Sequence, residues 1–227
     1  MYKATAIVSI YNSDKFIRNK ILNLLESAVP IKIILIDCTG GKELKLVENI
    51  TNTPQFVKVI INERISVWAA MNLGIRLADT PYVVQANTDD YVHPNGYKAQ
   101  VEKMDEGSDI AYFDYKLSAY KPTWQEGYKA AHDYYKCSDE GYSPGNGLGP
   151  FPMWRKSLHD EFGFFEERLE IYGDALFWTK LAAGDISWGH IPKFLGIYAN
   201  RQSSLERNAK YRVKDKKTMK KLKNDPY

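Results

Sequence analysis

The sequence predicts an α/β fold with a mainly parallel central sheet flanked by helices, and three observations predict it. Over roughly the first ninety residues, short apolar runs take turns with stretches whose apolar residues recur at helical spacing. The runs are apolar throughout instead of alternating, as strands covered on both faces are. Each of three such runs also ends in polar residues: Tyr11-Asn12-Ser13, then Asp37, then Asp89-Asp90. Strand–helix–strand units of this kind set parallel strands side by side. Ligands bind beyond the carboxyl ends of such strands, so polar clusters gathered on that one edge point to a site.

Taken in order, Ala4–Ile10 is the first strand. In "NSDKFIRNKILNLLESA" Ile17, Ile21, Leu24 and Ala28 repeat at helical spacing, with Asn12 or Ser13 as the cap and Pro30 as the stop. "IKIILID" is the second strand, Lys42–Asn49 a short helix and "FVKVII" the third strand. Val67–Ala78 is a helix whose Val67, Met71, Gly74 and Ala78 share a face, and Pro81 introduces the fourth strand, "YVVQA". The second half changes character. Residues 112–142 hold Tyr112, Phe113, Tyr115, Tyr120, Trp124, Tyr128, Tyr134, Tyr135 and Tyr142 with few aliphatics. Rings with a polar edge suit sugar faces, and they equally suit covering a sheet. "SPGNGLGPFP" reads as a loop. Asp174 stands before a helical run in which Phe177 and Leu181 share a face and which Gly184 ends, so its plain reading is an N-cap.

Length and composition bound the rest. At 227 residues and 44% hydrophobic, the chain can bury a full core as one large domain or two small ones. We expect a single domain over 1–209, with 1–90 and 91–209 as its halves, followed by a basic tail over 210–227. The tail carries +6 of the net +3, which leaves −3 on the body. A mildly acidic body argues against nucleic acid as a partner. The tail suits peripheral contact with anionic lipid, or is simply a solvated helix end. The apolar runs are strand-sized, and the start "MYKATAIVSIY" lacks a signal region. A cytoplasmic protein is expected, or one peripheral at the inner face of the membrane. Cys38 and Cys137 are read as reduced thiols.

Chemistry centres on "VVQANTDDYVHP". Adjacent carboxylates at the end of a buried strand repel one another and are costly to ionise. On these residues alone, a turn leading into Pro94-Asn95-Gly96 and a cation site both stand. "YNSDKF" after the first strand is no glycine-rich phosphate loop, and no P-loop motif occurs, so dinucleotide-binding and P-loop enzymes are set aside. If phosphate binds, a metal held by carboxylates must stand in for the missing amide cradle.

Together these stretches resemble the family-2 inverting glycosyltransferases of the GT-A type, over nearly all of 4–205. "AIVSIYNSDKFIRNKILNLLES" is similar to the family's opening strand, Y-N pair and first helix, and "IKIILIDCTG" to its D-D-x-S run. "AAMNLGIRLADTPYVVQANTDDYVHP" resembles its A-x-N-x-G-I helix and D-x-D motif. "GFFEERLEIYGDALFWTKLAAG" resembles its acidic catalytic segment, and "IPKFLGIYANRQSS" its closing strand.

The resemblance implies a single GT-A domain with a nucleotide-binding half and a mixed acceptor-side half. It implies a metal-dependent inverting transfer from a nucleoside-diphosphate sugar to a glycan or lipid-linked acceptor, in surface glycan synthesis. Asp90 is then the expected ligand of Mn²⁺ or Mg²⁺, and Asp89 a ribose or metal-shell contact. Asp174 is the expected general base. A helix N-terminus favours the anion, yet an attacking hydroxyl turns acidic only as it bonds to carbon, so a weak base suffices. Ser9, Tyr11, Asn12 and Asp37 are expected around the nucleotide. Three departures stand out: Cys38 replaces the second acid of the D-D pair, Met71 a frequent Arg, and Gly173 a frequent Glu. A thiol cannot serve as a carboxylate acceptor, which weakens the preference for a UDP-sugar. Two rivals remain: a non-catalytic binder of the same fold, and a sugar-nucleotide pyrophosphorylase, which would need a glycine-rich loop that "SIYNSDKF" lacks.

Overall fold

A computed structural model describes residues 1–118, 126, 131, 133–143, 147–201 and 205–224. Strands β1 (Ala4–Ile10), β2 (Ile31–Asp37), β3 (Phe56–Ile60) and β4 (Tyr82–Gln85) run parallel in the order β3-β2-β1-β4. Ile10 lies opposite Asp37 and Ile7 opposite Gln85, so the polar residues that follow β1, β2 and β4 come out at one edge. The sheet continues with β8 (Met153–Arg155), β6 (Ile110–Ser118), β9 (Trp188–Ala199) and β5 (Tyr91–Val92), while β7 (Asp133–Tyr135) pairs with β6. In this half β4–β8 and β6–β8 are antiparallel and β6–β9 is parallel. The α/β class and the mixed second half are as the sequence predicts.

Both faces of the sheet are covered. Ala6, Val8 and Ile10 of β1 face a core shared with α1 (Ile17–Leu25) and α4 (Gly96–Asp105). Ile7 faces the opposite core, shared with α3 (Val67–Leu77) and α6 (Gly173–Leu181). Each fully buried aliphatic side chain here stabilises the fold by roughly 1.5–3 kcal/mol. Gly74 is required by the close approach of α3 to β1: a Cβ there would lie 2.4 Å from Ile7. On α3, Met71, Gly74 and Ala78 are buried as expected, while Val67 is only half-buried and Trp68, Ala70 and Ile75 complete the face.

Two helices depart from expectation. α1 starts at Ile17, with neither Asn12 nor Ser13 as its cap. The Ser13 amide donates instead to Glu43, and Asn12 takes a left-handed φ of 56°, so these residues shape the sheet edge. The helix expected over Lys42–Asn49 is a 3-10 turn, Leu44–Val47, followed by α2 (Glu48–Thr51). The Leu44 amide is drawn off to Asp37, which prevents a regular first turn. Of the aromatic segment, Tyr112 and Phe113 are core residues, Tyr115 stacks on Tyr135, and Tyr134 is exposed. Tyr120, Trp124 and Tyr128 lie outside the described residues, as does part of the loop over 143–152.

α5 (Leu158–Phe162) carries a histidine in one fixed tautomer. His159 Nε2 accepts from Trp154 Nε1 at 2.8 Å, so Nδ1 carries the proton and donates to the Gly163 carbonyl at 2.9 Å. Burial lowers this imidazole from 6.5 to about 4. The unfolded chain therefore takes up the proton first. The stability His159 contributes is complete above pH 6.5 and is lost as pH falls toward 4, with about 2 kcal/mol gone by pH 5. Urea unfolding at pH 7 and pH 5 is expected to show a smaller loss for His159→Gln than for the wild type. Equal losses would place the acid sensitivity elsewhere.

The basic segment forms α7 (Ala209–Asn224). Lys210, Arg212, Lys214, Lys216, Lys217, Lys220 and Lys221 are exposed, whereas Asp215 is fully buried. Among the described residues no helix is long and apolar enough to cross a membrane.

Candidate active site

The edge formed by the carboxyl ends of β1, β2 and β4 gathers the first set of predicted residues. Ser9 is partly buried in β1, opposite Ile36. Beyond it Tyr11 is exposed, with the Arg64 guanidinium 5.8 Å from its ring centroid. Ser13 meets the β4 end directly, since Thr88 donates to its hydroxyl at 3.2 Å.

Asp37 is brought to this edge but turned away from it. One carboxylate oxygen accepts from the Thr39 amide and hydroxyl at 2.6 and 2.5 Å, the other from the Leu44 amide at 2.9 Å. With 0% exposure, this carboxylate, expected beside the nucleotide, closes its own loop. Next to it, Cys38 and Met71 are buried in one apolar cluster with Ile36 and Trp68. Burial raises the Cys38 thiol, which keeps it neutral. Two of the departures from the family pattern thus share one environment: where an acid and an arginine are usual, this chain packs sulfur side chains.

The paired aspartates separate into an inward and an outward residue. Asp90 is buried; its Oδ1 accepts from the Ala199 amide and its Oδ2 from Asn87 Nδ2, each at 2.9 Å. Burial, then the neighbouring Asp89, pushes its carboxyl up to about 7. Lys20, itself lowered to about 8 by burial, donates to the Asp90 backbone carbonyl at 2.9 Å. Asp90 therefore ties the end of β9 to the end of β4. Asp90, the expected metal ligand, thus has a protein donor at each of its oxygens.

Asp89 is the carboxylate directed to the edge. It pairs with Arg201, whose guanidinium lies 4.4 Å from the Phe16 ring centroid. Among the described residues no group of three or more His, Cys, Asp or Glu side chains is arranged to hold a metal. A hard cation such as Mg²⁺ does not need one, because it binds through one or two carboxylates plus phosphate oxygens and water. Asp89 fits that donor set.

Asp174 reaches the same edge from the second half of the chain. α6 begins at Gly173, so Asp174 lies inside its first turn instead of capping it, and its Oδ1 accepts from the Ala175 amide at 2.7 Å. α3 follows β3, so its first turn stands at the carboxyl edge of the sheet, and its Trp68 packs against Gly173. A Cβ on Gly173 would lie 2.6 Å from the Trp68 ring. This accounts for the third departure, because the indole fills the space that a glutamate would need. The segment ahead is fixed by α3 as well. Asn72 donates to the Phe165 carbonyl at 2.9 Å and accepts from its amide at 3.0 Å, and Ser66 donates to the Glu167 carbonyl at 2.8 Å.

Several residues at this edge had no signal in the sequence. Arg64 donates to Glu170 at 2.5 Å and stands between Tyr11 and Tyr211, joining the β1 end to α7. Arg201 and Asp215 likewise act across the chain.

A family model described as Glycosyl transferase family 2 matches residues 5–165. Among solved structures, the fold is similar to S. aureus TarS 1-349 in complex with UDP-GlcNAc, with a TM-score of 0.74 and 18% identity over 91% of this chain and 61% of that one. It is also similar to the mannosyltransferase PcManGT from Pyrobaculum calidifontis in complex with GDP-Man and Mn2+. There the TM-score is 0.70 at 19% identity, over 96% of this chain and 64% of that one. The chain thus spans less than two thirds of either structure, and the likeness is one of fold. No curated protein sequence matches it.

Proposed function

The chain belongs to glycosyl transferase family 2, and on that premise we propose that it transfers a sugar, with inversion, from a nucleoside-diphosphate sugar to an acceptor hydroxyl. The observation that carries this reading is the contact of Gly173 with Trp68 at the first turn of α3. It supports the reading because Gly173 precedes Asp174 and Trp68 stands in the first turn of α3, on the side of the sheet where Asp89 follows β4.

In this reading Asp174 accepts the proton of the acceptor hydroxyl as its oxygen attacks the anomeric carbon, and the diphosphate departs from the opposite face. Asp89 would hold Mg²⁺ or Mn²⁺, which when bound neutralises charge on the diphosphate. Arg201, paired with Asp89, adds positive charge at the same place. Tyr11 and Arg64 border the nucleotide end, where Cys38 and Met71 leave an apolar floor in place of a carboxylate. The similar structures were solved with a uridine and a guanosine donor respectively. UDP-sugars lead our expectation and GDP-sugars follow. The lysines on the outer surface of α7 suit an anionic lipid surface, where a lipid-linked acceptor would be met.

Thermal unfolding with UDP, GDP, CDP, ADP and dTDP, each with Mn²⁺ or with EDTA, tests the donor class without a known acceptor. A ligand that binds the native state raises the melting temperature by mass action. One nucleotide is expected to stabilise the protein with Mn²⁺ and to lose most of that effect with EDTA. No stabilisation by any nucleotide with Mn²⁺ present would defeat the proposal.

A further inference from the structure

We propose that Asp215, on the C-terminal helix α7, is a positioning residue for Asp174. The inference rests on the role of Asp174 just proposed. Asp215 is the single acid in a helix otherwise rich in lysine, and among the charged side chains described there it alone is fully buried. A buried carboxylate is costly unless its oxygens are satisfied by donors. Here they are. Oδ1 accepts from the Glu170 amide at 2.9 Å, and Oδ2 from the Ile171 and Tyr172 amides at 2.7 and 3.1 Å.

Three successive backbone amides turned toward one anion form a cradle of fixed partial charge. This cradle ends at Tyr172, the residue from which α6 springs, two positions before Asp174. α6 has no side-chain cap of its own, so the carboxylate from α7 anchors the entry to that helix. The flanking contacts leave little slack. Trp68 closes on Gly173 from one side, while Arg64 and Lys214 hold the Glu170 side chain at 2.5 and 2.7 Å.

The direction in which Asp174 presents its oxygen is therefore set jointly by α3 and α7. The family match covers α3 and ends at residue 165, before the amides of 170–172 and before Asp215. A base displaced by about 1 Å can cost on the order of 100-fold in rate, which is the leverage α7 holds over the reaction.

The test is Asp215→Asn, which keeps the size of the side chain but turns an NH₂ group toward amide donors. Release of nucleoside diphosphate from UDP-GlcNAc or GDP-mannose, with water as acceptor, reports turnover. The kcat is expected to fall by about 10- to 100-fold, with KM for the donor within about 2-fold of wild type. Combining it with Asp174→Asn is expected to cause no further loss, since a residue that acts only through Asp174 has nothing left to position. Hydrogen exchange at the amides of 170–172 is expected to speed up in the variant. Val213→Ala, an exposed position on the same helix outside the clamp, is expected to stay near wild type in rate and exchange.

An unchanged kcat, or an equal loss in the Asp174→Asn background, would overturn the proposal. So would unchanged exchange at 170–172, a readout that decides the matter even if turnover in water is too slow to follow. Should Asp174→Asn keep full activity, the base assignment fails instead, whatever Asp215 does to exchange.

Discussion

Replacing Asp174 by Asn is expected to lower sugar transfer by about 100- to 10,000-fold, the usual contribution of a positioned general base. Donor binding is expected to survive almost unchanged. Asn fills the same space and can still accept from the Ala175 amide at the oxygen that does so now, so α6 keeps its first turn. What it cannot do is take the acceptor proton. The loss should therefore appear in kcat, while the stabilisation given by the nucleoside diphosphate and Mn²⁺ stays within about a degree of wild type. A variant that lost both together would show Asp174 to be a donor contact or a structural residue. Gly173→Glu probes the same point from the other side. Trp68 leaves that position no room, so restoring the usual acid is expected to damage the site.

How far the fold and site were legible depended on how local the determining contacts are. β1 and β2 begin and end where their continuous apolar runs do, because a strand buried on both faces needs nothing else to define it. The start of α1 was misjudged because Asn12 and Ser13, good caps by type, are engaged at the sheet edge by a left-handed turn and by Glu43. Asp37 lies at the carboxyl end of β2, opposite Ile10, but its two oxygens are taken by Thr39 and Leu44 within its own loop. No periodicity distinguishes a carboxylate that caps a loop from one that meets a ligand. Asp174 was located by resemblance, while the contacts that orient it come from Trp68 and Asp215, far away along the chain.

Asp89→Asn and Asp90→Asn are expected to separate sharply, and in the order opposite to the one read from the motif. The two carboxylates follow β4 in a turn, where Asp90 is buried and Asp89 is partly exposed beside Arg201, so they differ in which can face the ligand edge. Which one does is set by β9, whose Ala199 amide claims Asp90 from 109 residues away, a contact the motif cannot encode. Asp89→Asn removes the charge opposite Arg201 and the carboxylate proposed to hold the cation. It is expected to abolish the Mn²⁺-dependent part of nucleotide stabilisation and to lower transfer by at least about 100-fold, since a leaving diphosphate then lacks its counter-charge. Asp90→Asn keeps an oxygen for the Ala199 amide but turns its NH₂ toward Asn87 Nδ2, and it replaces a carboxyl that burial pushes up to about 7. That variant is expected to shift the melting temperature by only a few degrees and to keep its response to Mn²⁺. Thermal unfolding of both, with nucleotide and with Mn²⁺ or EDTA, decides between them. A Mn²⁺ response lost in Asp90→Asn and kept in Asp89→Asn would return the metal to the inner aspartate and require the β9 contact to open when the donor binds.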